Sequence, residues 1–97
     1  LSVYELESSL RNLEMPTLII VGDEDDPCLE PALFLKRCIP RSGLTIFPQT
    51  GHTVNLEEPG LFNRVVLDFF TTIEAGQWTK RQFVTDAGFL PPKSTTV

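Results

Sequence analysis

The 97-residue sequence predicts an α/β fold of two parallel strands with flanking helices, in the order helix–strand–helix–strand–helix. Three observations carry that expectation. Thr17-Leu18-Ile19-Ile20-Val21 is a continuous apolar, β-rich run without alternation, the pattern of a strand buried on both faces of a parallel sheet. Gly22 to Gly43 separates it from a second short run, Leu44-Thr45-Ile46-Phe47. That interval is long enough for a helical crossover and far longer than a hairpin needs. Leu61, Phe62, Val65, Val66, Phe69, Phe70 and Ile73 then recur at helical spacing, one broad apolar face.

The remaining elements follow in order. Val3, Leu6, Leu10 and Leu13 form a helical stripe at three- and four-residue steps. Ser2 and Glu5 have the spacing of a capping box, and Pro16 disfavours helical geometry at Met15, so the helix stops before it. Asp23-Glu24-Asp25-Asp26-Pro27 reads as an acidic loop. Pro31 fits the first turn of a helix that continues through Ala32, Leu33, Phe34, Leu35 and Cys38. Pro40 to Gly43 reads as a turn, and Pro48 to His52 as a polar loop. The long helix starts at Pro59, and Gly76 is its natural stop. Residues 77–97 carry Trp78, Phe83 and Phe89 before Pro91-Pro92-Lys93-Ser94-Thr95-Thr96. They read as a C-terminal extension, docked at first and disordered at its end.

Composition narrows the function classes. The chain is 41% hydrophobic and 22% charged, ordinary for a globular domain and unlike a disordered or collagenous chain. No apolar run approaches the roughly 20 residues of a membrane span. Net charge is −5 and the largest basic cluster is Lys80-Arg81, which argues against a nucleic-acid or anionic-membrane partner. Cys28 and Cys38 form no CxxC pair, and a single histidine does not complete a Cys/His zinc site. Two thiols in a reducing compartment are expected, which suggests the cytoplasm. The Asp23–Asp26 run lacks the glycine and terminal glutamate of an EF-hand loop, so no metal site is expected, and no cofactor is implied.

Function is expected beyond the carboxyl ends of the strands, where open parallel sheets gather their chemistry. Asp25 lies four residues past Val21, and His52 five past Phe47. Neighbouring parallel strands lie about 4.8 Å apart, so loops of matching length bring the two side chains to one edge. A carboxylate there fixes the imidazole tautomer and stabilises the imidazolium formed when the ring takes a proton. Glu57 and Glu58 most simply favour the N-terminus of the helix that follows; either is also a rival to Asp25 as the acid.

These residues resemble a known family. Met15 to Asp25, an apolar strand running into Gly22-x-x-Asp25, is similar to the penultimate-strand segment of α/β-hydrolases. Gly51-His52 with Leu56-Glu57-Glu58-Pro59 and Phe62-Asn63 resembles the segment after their last strand. The resemblance covers residues 15 to about 75 and implies that Asp25 is the acid, and His52 the base, of a Ser-Asp-His-type triad. It also implies that residues 1–76 are the C-terminal part of such a domain. The family's Gly-x-Ser-x-Gly nucleophile elbow has no counterpart here: Ser2, Ser8, Ser9, Ser42 and Ser94 all lack it, as do both cysteines. The family order, nucleophile then acid then base, accounts for a piece that carries only the last two. The start at Leu1 rather than Met fits a processed product, a trimmed chain or a fragment.

Two functions are expected from this. One is a partial hydrolase acting on an ester or similar bond of a small molecule, completed by the missing N-terminal part of the fold and inactive alone. Thr53 and Val54, beside the histidine, are expected to line its pocket. The other is a non-enzymatic α/β module that binds a partner or self-associates through its open sheet edge.

Overall fold

The computed structural model describes residues 2–81. Ser2 and Glu5 close the expected capping box, with the Glu5 carboxylate accepting from Ser2 N at 2.7 Å and Ser2 Oγ from Tyr4 N at 3.2 Å. The helix begins as a 3-10 turn, Val3–Leu6, and continues as α1, Glu7–Arg11. None of its residues is buried. The predicted stripe therefore finds only partial cover, from contacts such as the tilted Tyr4–Phe34 ring pair at 4.6 Å.

β1, Thr17–Gly22, and β2, Ser42–Phe47, form a parallel two-stranded sheet. Their register pairs Thr17 with Ser42 and Gly22 with Phe47. Between them runs α2, Asp26–Cys38, the expected crossover. It starts five residues earlier than the sequence suggested. Pro27 occupies the first turn and Pro31 lies inside the helix. Pro31 lacks the amide that would bond the Pro27 carbonyl, and Pro27 is exposed, so water can serve that oxygen. β2 likewise starts earlier, at Ser42 within the predicted turn. Ser42 Oγ donates to Ile39 O at 2.8 Å and ties the end of α2 to the strand.

Ile19, Val21 and Ala32 form the core, with Cys28, Leu29, Leu35 and Leu44 packed around them. Phe47 and Thr50 are fully buried below the second loop. After that loop come α3, Val54–Glu57, an unpredicted single turn, and α4, Pro59–Glu74. α4 ends as expected at Gly76, where φ is 71°. Its apolar face is only partly covered: Phe70, expected on that face, is 54% exposed, and Leu67 is 63% exposed. Trp78 docks as expected. Its indole lies against Gly43 and edge-on to Phe69 at 4.6 Å. The expected disordered end, with Phe83, Phe89 and Pro91–Thr96, lies outside the described residues.

Candidate active site

The edge beyond the strands is built mainly from backbone. Asp23 N donates to Phe47 O and Glu24 N to Thr50 O, both at 2.9 Å, and the Asp23 carboxylate accepts from Thr50 N at 3.3 Å. The two loops are thereby stitched together directly above the sheet. Gly22 permits that approach. A Cβ there would overlap the carbonyl oxygens of Thr50 and Gly51, so any side chain would push the second loop away.

Asp25 precedes the first turn of α2, and His52 sits on the stitched loop. His52 Nδ1 lies 2.8 Å from Asp25 Oδ2. Strand register and loop length thus bring together the two residues singled out from the sequence. The partners differ in exposure: 79% for the His52 side chain and 11% for that of Asp25. The carboxylate is held against the protein while the far side of the imidazole, with Nε2, faces outward. The hydrogen bond from His52, and next the one from the Cys28 thiol, hold the Asp25 carboxyl below its ordinary range; burial works against them. Bonding to the charged form lowers a carboxyl pKa in this way.

Glu57 has a different place from that of a rival acid. Its carboxylate accepts from Gly51 N at 2.9 Å and from Thr53 Oγ1 at 3.2 Å. It therefore holds the Gly51 amide and the Thr53 hydroxyl, one on either side of His52. Val54 is buried and Thr53 exposed.

Sequence reasoning missed Cys28 at this site. Both cysteines are free thiols, and Cys28 Sγ lies 3.9 Å from His52 Nδ1. The hydrogen bond to Asp25 and, after it, burial push the Cys28 thiol pKa up. The available signal was the spacing Asp25-x-x-Cys28, which stacks two side chains on the opening turn of a helix. It was hidden because α2 was expected to begin at Pro31. One carboxylate oxygen, one sulfur and one imidazole nitrogen all lie within 4.8 Å of one another here.

A parallel strand pair with a crossover helix, and an acid and a histidine on successive loops at its carboxyl edge, define the chain as part of an α/β-hydrolase fold. The comparisons bear this out, although no family model matches. The chain is 34% identical over 68 residues to a candidate 2-succinyl-6-hydroxy-2,4-cyclohexadiene-1-carboxylate synthase of Bacillus subtilis (strain 168), covering 70% of this chain and 25% of that protein. It is 40% identical over 63 residues to 2-hydroxy-6-oxononadienedioate/2-hydroxy-6-oxononatrienedioate hydrolase 2 of Pseudomonas putida, covering 64% and 22% respectively. Among solved structures, MenH from S. aureus superposes with a TM-score of 0.69 at 29% identity, over 71% of this chain and 26% of that one. The chain spans about a quarter of the length of the curated relatives it matches.

Proposed function

We propose that Asp25 and His52 are the acid and base of a Ser-Asp-His-type triad, in a hydrolase acting on an ester or similar bond of a small molecule. The observation that carries this reading is the 2.8 Å contact between Asp25 Oδ2 and His52 Nδ1. In neutral His52 the proton on Nδ1 is donated to the carboxylate, which leaves the Nε2 lone pair free. Nε2 takes the proton of the attacking hydroxyl, Asp25 stabilises the resulting imidazolium, and the ring then gives the proton to the leaving group. The names of the relatives support a small-molecule substrate.

The nucleophile in this reading comes from a preceding part of the fold, and residues 1–76 form the domain's C-terminal part, with 77–97 as an extension. That preceding part, or a second copy of the chain, covers the strand edges left unpaired among the described residues and the exposed Leu67 and Phe70 of α4. The two free thiols fit a reducing compartment such as the cytoplasm.

The DNA upstream of the Leu1 codon tests the reading. An in-frame strand–Gly-x-Ser-x-Gly–helix supports it, and a stop codon followed by a start site next to Leu1 sinks it. A second measurement uses the chain itself. The imidazole 15N resonances of His52 should report a proton held on Nδ1 by Asp25, and that preference should be lost in Asp25→Asn. The same tautomer balance in both proteins counts against the pair.

A further inference from the structure

We propose that Asp25, Cys28 and His52 bind a thiophilic divalent metal ion of the zinc class, through one carboxylate oxygen, the Cys28 thiolate and His52 Nδ1. The three donors come from two segments, the opening of α2 and the loop after β2, and they converge without rearrangement of the backbone. Nδ1 lies 2.8 Å from Asp25 Oδ2 and 3.9 Å from Cys28 Sγ, and all three atoms lie within 4.8 Å of one another. A tetrahedral zinc ion with bonds of about 2.0 Å to nitrogen and oxygen and about 2.3 Å to sulfur sets its ligands about 3.3–3.6 Å apart. Placing an ion between these atoms therefore opens the Asp25–His52 contact by about half an ångström, closes the Cys28–His52 contact slightly less, and closes the carboxylate–sulfur separation, which is within 4.8 Å, by up to about 1.3 Å. Side-chain torsions supply shifts of that size.

The donor set selects the metal. Sulfur and imidazole suit zinc, cobalt and copper, whereas magnesium and calcium take oxygen ligands. Three protein ligands leave a fourth position for water or a substrate atom. The first and second loops are already fixed to each other by Asp23, Glu24 and Thr50, so the ion meets a largely assembled site.

Proton balance gives the site a consequence. The ion displaces the thiol proton of Cys28 to solvent. It also takes the Nδ1 lone pair, so the proton of neutral His52 resides on Nε2. If His52 is the base proposed above, that tautomer has no lone pair facing the nucleophile, and the metal switches the base off. Metal binding itself does not depend on that reading, and its test needs no turnover.

The experiment is a Co2+ titration of the full reduced, metal-free chain. The expected result is one ion per chain, with thiolate-to-cobalt charge-transfer absorption in the near ultraviolet and the visible bands of a four-coordinate centre. Stoichiometric Zn2+ should bleach both, and excess Mg2+ should not. Cys28→Ser should abolish the charge-transfer band, while Cys38→Ser leaves it intact. His52→Gln should weaken Co2+ binding at least about tenfold. Folding of each variant is checked by the environment of the single Trp78, which lies at the other end of the sheet. Absence of the charge-transfer band in the wild-type chain overturns the proposal. So does its persistence in Cys28→Ser, or its loss in a folded Cys38→Ser. Zn2+ should also shift the His52 imidazole resonances, and unshifted resonances in the presence of the cobalt band would remove His52 from the site.

Discussion

At the carboxyl end of the sheet, Gly22 lies beneath the carbonyls of Thr50 and Gly51; at the amino end of β2, Gly43 lies beneath the indole of Trp78. Both glycines permit a close approach, but the approaching groups differ. Trp78 closes its end. Its Nε1 donates to Arg41 O at 2.7 Å, Arg41 Nη2 donates back to Trp78 O at 2.9 Å, and Phe69 meets its ring edge. At the other end the atoms nearest Gly22 are backbone. The stitched loop is held by Asp23, Glu24 and Glu57, and it carries an imidazole that stays outside. One end uses contact to half-bury a side chain; the other uses it to hold a side chain in the open. Backbone fixed beneath an exposed imidazole is an arrangement suited to a functional site.

The sharpest way to break that contrast is Gly22→Ala. The new methyl overlaps two backbone carbonyls, and backbone cannot rotate away as a side chain can. The expected cost is at the top of the overpacking range, about 3 kcal/mol or more. Displacement of the second loop should separate His52 from Asp25. Urea unfolding measures the first effect, and the His52 imidazole resonances report the second. A variant with wild-type stability and an unchanged His52 signal would mean that the tight approach is not what positions the loop.

Trp78→Ala attacks the other end. Loss of a half-buried indole that packs on Gly43 and Phe69 should cost about 2 kcal/mol, below the range for a fully buried tryptophan. The same Asp25–His52 coupling should survive, because none of its supports touches Trp78. Wild-type stability would show that the indole does not hold the amino end closed. Loss of the coupling at retained fold would show that the two ends are not independent.

The strand pair, the crossover and the Asp25–His52 edge were all legible in the sequence. Each rests on a local pattern: an apolar run, a chain length too long for a hairpin, and two loop lengths counted from strand ends. The start of α2 was not legible. Two prolines, Pro27 and Pro31, both suit a first turn, and nothing local shows that exposure lets Pro31 sit inside the helix. With the helix start misplaced, Cys28 had no assigned neighbour. Glu57 was legible as charge near a helix start, but its return to Gly51 and Thr53 depends on α3, a turn too short to show a period. The exposure of Phe70 was hidden for a different reason. Periodicity identifies a face, and only neighbouring elements decide how much of that face is covered.

Glu57→Gln tests the smaller supports. The change removes the charge from the bonds to Gly51 N and Thr53 Oγ1 while keeping an acceptor. A loss of about 1 kcal/mol is expected, with faster hydrogen exchange at the Gly51 amide. Unchanged exchange there would mean that the stitching from β1 alone fixes the loop.

The smallest effect is a dependence on acid. Asp25 has a lowered pKa in the folded chain because its carboxylate accepts from His52 first and Cys28 second. The unfolded chain therefore binds the proton more readily, and stability rises with pH across this range. The contribution is complete above the ordinary unfolded carboxyl pKa of about 3.9. It is lost as pH falls through the lower folded value. Urea midpoints measured from about pH 5 down to about pH 2 should fall more steeply for the wild type than for Asp25→Asn, which has no carboxyl to protonate. Parallel slopes would show that the pair adds nothing to the folded state. The carboxyl end of the sheet would then hold Asp25 and His52 at its own cost, unlike the Trp78 end, where the indole bonds Arg41 and packs against Phe69.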